Sequence, residues 1–196
     1  MDGFVPMNLT DLKTNFLARY NKTNSVSEAL SKAISAAVQH NSLYSKSITN
    51  DERVGIRAYW SDQLIEIAQK RPAPSKEAYE SQILELQELM TEKFPVTTFF
   101  SPKKSGVADG FRIAHSQKSL SIFSKHLWCL NLIDEPVFCA VDAIILGKTE
   151  APSNIKWTKI STIEAHRESY KYIEREASNS GISIALWELN EFAVIK

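Results

Sequence analysis

The sequence predicts an all-α fold, and three observations predict it. Apolar residues recur at three- and four-residue intervals through most of the chain, no stretch sustains a strand-like alternation, and helix start and stop signals bracket the periodic segments. Composition agrees with one folded unit: 196 residues, 43% apolar and 23% charged, suit an ordinary soluble globular domain.

In chain order, Leu9, Leu12, Phe16, Leu17 and Tyr20 fall on one helical face. A second helix carries Val26, Ala29, Leu30, Ala33, Ile34, Ala37 and Val38 behind Ser25-x-x-Glu28, the pattern of a capping box. Thr49-x-x-Glu52 opens a third, which ends near Pro72 and Pro74 because proline neither donates a hydrogen bond nor fits a helix interior. The fourth runs from about Ser75 to Phe94, with an acidic outer face that reads as solvated surface. From Pro95 to Gly110 the chain turns β-branched, aromatic and turn-rich, which predicts a short extended segment and a loop.

Next come a short helical piece "GFRIA", a tight turn "HSQ" and a helix "KSLSIFSKHLWCL", with Lys118 in the first turn of that helix. "FCAV" reads as extended, and Asp142 as the N-cap of "AIIL". A further helix lies behind Ser161-x-x-Glu164 and stops at "NSG", residues 179 to 181, and "ISIALWELNEF" is the last. The expected organisation is a single domain over 1–196, in which helices 8–94 and 158–193 form lobes around segment 108–150.

Charge and cysteine usage exclude several classes. The 23 basic and 23 acidic residues cancel, so a nucleic-acid role must come from a local patch rather than the overall field. No run reaches the roughly 18 apolar residues of a membrane span, and the N-terminus lacks the basic start and apolar core of a secretory signal. An intracellular location, cytoplasmic or nucleoid-associated, is expected. Cys129 and Cys139 sit in apolar surroundings without a CxxC partner and read as buried, reduced thiols. The four histidines are scattered, no P-loop or dinucleotide fingerprint occurs, and no metal or cofactor is expected.

The candidate site lies between Pro102 and His126. Lys103, Lys104, Arg112, Lys118 and Lys125 face a single acid there, Asp109, with His115 and His126 beside them: an anion-binding footprint. A helix start gathers unpaired N–H groups and positive potential, which bind phosphate and disfavour the ammonium form of a lysine. Lys118 therefore reads either as a nucleophilic amine or as a surface charge, and Gln117 as a base-edge reader or a cap. Trp60, Trp128 and Trp187 lie on apolar stripes, whereas Trp157, between Lys156 and Lys159, is a candidate platform for a displaced base.

A helix, a hairpin, a second helix opening with a lysine, and then an aspartate set between apolar residues together resemble the helix-hairpin-helix DNA glycosylases, the small 8-oxoguanine type in particular. The resemblance covers about Phe111 to Leu146. It implies that Lys118 attacks the anomeric carbon of a flipped nucleotide and that Asp142 stabilises the developing charge. The implied partner is duplex DNA with a modified base, held by Lys103, Lys104, Arg112, His115, Gln117, Lys125 and Trp157. The sequence departs from the family in three places: "AHSQK" has no hairpin glycine, Ala143 replaces the usual basic residue, and the 24-residue separation of Lys118 and Asp142 is extended by "NLIDEP". The competing class is a non-enzymatic helical protein that uses the basic 102–126 region for binding.

Overall fold

A computed structural model describes residues 8–40, 42–95, 98–99 and 110–193. The fold is all-α: the described residues form eight α-helices and no strand. They are α1 Leu9–Tyr20, α2 Val26–Val38, α3 Asn50–Leu64, α4 Lys76–Lys93, α5 Ile113–Cys129, α6 Ala143–Leu146, α7 Ile163–Asn179 and α8 Ile184–Ala193. Capping chemistry sets most of the starts. Asn8, Ser25, Thr49, Ser75 and Thr162 each accept a backbone N–H of the first turn, and Thr49 with Glu52 forms a reciprocal capping box. For α7 the cap is Thr162, one residue beyond the expected Ser161, because the Thr162 hydroxyl is the one that reaches the Ala165 N–H.

The core is organised around α5, whose residues are all buried except Ile122. Helix α2 packs along it more extensively than any other element, through Ala29, Ala33 and Ala37, a stripe of fully buried small side chains that lets the two backbones approach. From the other sides α1, α3, α4 and α7 close in. Helices α1 and α8, from opposite ends of the chain, pack on each other and enclose a smaller cluster of Leu12, Phe16, Trp128, Cys129, Ala185 and Leu189.

Two local features depart from expectation. The "HSQ" turn is not formed: α5 runs unbroken from Ile113 through His115, Ser116 and Gln117 to Cys129, so the expected hairpin is replaced by one helix. The physical reason is in the residues. None of the three breaks a helix, and the His115 ring turns back so that its Nδ1 accepts the Arg112 N–H at 3.1 Å, closing the N-terminus at that point. Lys118 consequently lies in the second turn, not the first. The other feature is a π-turn, Ile65–Gln69, that continues α3. Gln82 of α4 holds it, donating to Ile67 O at 3.2 Å and to Arg71 O at 2.5 Å. Of the extended segment after Pro95, Phe99 pairs with Tyr44 in an isolated antiparallel bridge.

Both cysteines are buried free thiols, and burial pushes Cys129 up to about 12 and Cys139 well above its usual value. No helix among the described residues is long and apolar enough to cross a membrane. No group of three or more His, Cys, Asp and Glu among them is placed to hold a metal ion.

His126 and His166 are 2% and 1% exposed, and burial lowers them to about 3 and about 4. Neither His126 Nδ1 nor the two His166 nitrogens have a hydrogen-bond partner. Both pKa values are depressed on folding, so the stability linked to them is fully present above pH 6.5 and is lost as pH falls. The expected slope for each histidine is about 0.7 kcal/mol per pH unit at pH 6.5 and rises toward about 1.4 by pH 5. Urea unfolding across this window should become shallower in pH by that amount in His166→Leu, and an unchanged slope would show that His166 does not titrate in this way.

Candidate functional site

The site is built by two elements and a short strap. Helix α5 presents Lys118 and Lys125 on one face, seven residues and hence about 10 Å apart along the axis. The strap 138–142 runs alongside with its backbone anchored by side chains. Cys139 N–H donates to the Tyr170 hydroxyl at 3.1 Å, Ala140 N–H to Glu188 Oε1 at 3.4 Å and Val141 N–H to Gln117 Oε1 at 3.0 Å. Gln117 Nε2 returns a bond to Val141 O at 2.8 Å. Asp142 emerges from this strap as the N-cap of α6, its Oδ1 accepting from Ile144 N–H and Ile145 N–H at 2.9 Å each.

The second carboxylate oxygen of Asp142 faces Lys118, with Nζ at 3.5 Å from Oδ2 and each side chain 9% exposed. Trp157, in a short 3₁₀ turn (Trp157–Lys159), lays its ring against the amine, 4.0 Å from Nζ to the ring centroid. Burial holds Lys118 below its ordinary pKa, opposed by the charge and hydrogen bond of Asp142 and aided by the ammonium of Lys125. Lys118 and Asp142 both line one cavity of about 570 Å³, together with Phe16, Tyr20, Lys125 and Phe192. Ile144, 56% exposed, stands among its lining residues.

A second buried ion pair reaches the same cavity through its lysine, Lys125. Lys125 Nζ meets Glu188 Oε1 at 2.8 Å, with side-chain exposures of 7% and 2%. The Phe192 and Phe16 rings flank the ammonium at 4.2 and 5.4 Å.

The chain thus brings Lys118, Asp142, Lys125 and Trp157 together, but not as the basic surface the sequence suggested. Arg112, His115, Gln117 and Lys125 are 3%, 0%, 0% and 5% exposed, so none presents its charge or amide to a ligand on the outside of the protein. The reason is the continuity of α5: without the hairpin, the whole segment enters the core. Gln117 ties helix to strap, and Trp157 packs on the lysine rather than offering an open platform. Lys103 and Lys104 lie outside the described residues. Glu188 was not among the expected site residues. Its signal was an acid set between Ala185, Leu189 and Phe192 on the apolar face of the last helix.

Comparison of the chain with protein-family models, with curated proteins and with solved structures finds no match.

Gln117 satisfies both backbone groups of Val141 in a buried setting. Gln117→Leu should therefore cost about 2–4 kcal/mol in urea unfolding, since the unpaired N–H and C=O keep their full desolvation penalty. A loss below about 0.5 kcal/mol would mean that the strap finds other partners.

Proposed function

We propose that the chain is a lysine-dependent enzyme of the DNA-glycosylase kind, which takes a modified nucleotide into the cavity and cleaves its N-glycosidic bond. One observation carries the reading: a desolvated lysine amine and a helix-capping carboxylate 3.5 Å apart line one cavity. Burial makes the neutral, nucleophilic amine more accessible near neutral pH, and a fixed carboxylate beside it suits positive charge developing on a sugar carbon.

In this reaction the Nζ lone pair bonds to the anomeric carbon while the bond from that carbon to the base nitrogen breaks. The bond's electron pair leaves with the base, which takes up a proton as Nζ gives one up. The nitrogen lone pair then forms a protonated imine as the bond from the anomeric carbon to the ring oxygen breaks, and that oxygen takes up a proton from solvent. Water adds to the imine carbon and breaks the C–N bond to release the lysine amine. Asp142 acts by charge, because its Oδ1 is already engaged by two backbone N–H groups and only Oδ2 faces the amine. Trp157 and Asp142 together restrict the amine to approach from the cavity side. Phosphate contacts on the DNA are assigned to Lys103 and Lys104, which lie outside the described residues.

The burial of Arg112, His115 and Gln117 favours a second reading, a non-enzymatic helical protein in which Lys118–Asp142 only ties α5 to α6. Borohydride trapping on duplex DNA with an abasic site separates the two. The enzyme reading expects a covalent adduct that Lys118→Gln abolishes, with base release from a cognate duplex slowed about 100-fold or more in Asp142→Asn and DNA affinity nearly unchanged. Absence of any adduct with well-folded protein leaves the second reading.

A further inference from the structure

The reaction described above uses Lys118, Asp142 and Trp157 and leaves the second buried pair without a task. A buried ion pair is generally no more stabilising than apolar residues of the same volume, so Lys125–Glu188 is not explained by stability. Its position is informative. Lys125 lies on the same face of α5 as Lys118, two helical turns away, and lines the same cavity. Around it stand the rings of Phe16, Tyr20 and Phe192, with Phe16 and Tyr20 centroids 5.1 Å apart and Tyr20 and Phe192 6.0 Å apart. The cavity therefore has two ends of different chemistry: an amine and carboxylate at one, and an ammonium within an aromatic wall at the other.

We infer that the Lys125–Glu188 end recognises the edge of a planar heterocycle that carries a hydrogen-bond acceptor, such as a ring carbonyl, and rejects an exocyclic amino group at that position. The inference rests on the nucleotide reading of the cavity and adds the specificity of its base end. The aromatic wall supplies faces for a flat ring. Two helical turns are comparable with the span from a sugar carbon beside Lys118, across a bicyclic base, to its far edge. A lysine ammonium has three donors and no acceptor, and Glu188 Oε1 takes one of them. Glu188 is itself fixed from behind by the Ala140 N–H and by its burial on α8, so the pair has little freedom to turn round and offer an acceptor instead. An amino group facing this ammonium would leave both donors unpaired in a desolvated site, and sites built on a specific hydrogen bond reject such ligands strongly.

Calorimetric titration with inosine and adenosine, which differ at one edge in carbonyl against amino, reads this without requiring any covalent step. Inosine should bind at least about tenfold more tightly to the native chain. Lys118→Gln should keep the preference. Lys125→Met should reduce it to within about twofold, as should the double replacement K125M/E188L, which removes both charges and so avoids an unpaired buried carboxylate. Thermal melting shows that the variants are folded. Equal or reversed affinities, no measurable binding of either nucleoside, or a preference that survives in a folded K125M/E188L protein would overturn the inference. Failure of the abasic-site adduct alone would instead strike at Lys118 as nucleophile and leave this result readable.

Discussion

Everything in this fold depends on α5 being buried on nearly every side while nine of its seventeen residues are polar. An apolar helix in that position would require only volume-filling neighbours. This one requires partners, because a buried polar group without a hydrogen bond costs kilocalories and a buried charge without a counter-charge costs more. The neighbours supply most of them, Ser116 Oγ and His126 Nδ1 being left without one. Ser119 accepts the Trp60 indole N–H at 3.2 Å, the Tyr79 hydroxyl donates to Gln117 O at 3.1 Å, Gln117 holds the strap, and Lys118 and Lys125 meet carboxylates from α6 and α8. The surrounding elements are thereby placed by polar geometry as well as by packing. The alanine stripe of α2 adds close approach of the two helices.

This arrangement explains which parts of the molecule were legible in the sequence. Elements whose signals are local were read closely: the caps at Ser25 and Thr49, the start of α4 near Ser75, the stop at Pro72 and Pro74, and the apolar stripes of α1 and α2 are each fixed by residues within a turn or two. The pairing of Lys118 with Asp142 was also anticipated, through the order of lysine, helix and capped aspartate. What failed was the inference from charge to surface. Five basic residues close together look like a patch when solvent is assumed around them, but Arg112, Lys118 and Lys125 are enclosed by segments distant in sequence. Nothing local announces that a helix will be central. The π-turn at Ile65–Gln69 was missed for a related reason, since its stabilising contact comes from Gln82 in the next helix.

Glu188 marks the boundary between the two cases. An acid on the apolar face of an amphipathic helix is a local anomaly and can be noticed, but its partner, 63 residues upstream, cannot be named from the anomaly alone. The same holds for the aromatic wall: the convergence of Phe16 and Phe192 around one ammonium depends on the docking of α1 against α8.

The double engagement of Asp142 limits what this position can become. One oxygen ends a helix and the other faces a lysine, and both tasks are referred to the same short side chain on the same backbone. A glutamate carries the identical charge one methylene further out and cannot occupy the cap while facing the amine at the same place. An asparagine keeps the cap and loses the charge, and a serine does the same with a shorter reach. Local architecture and electrostatics thus select a single residue type from two independent directions, so that any replacement of aspartate here gives up the α6 cap, the charge facing Lys118, or both.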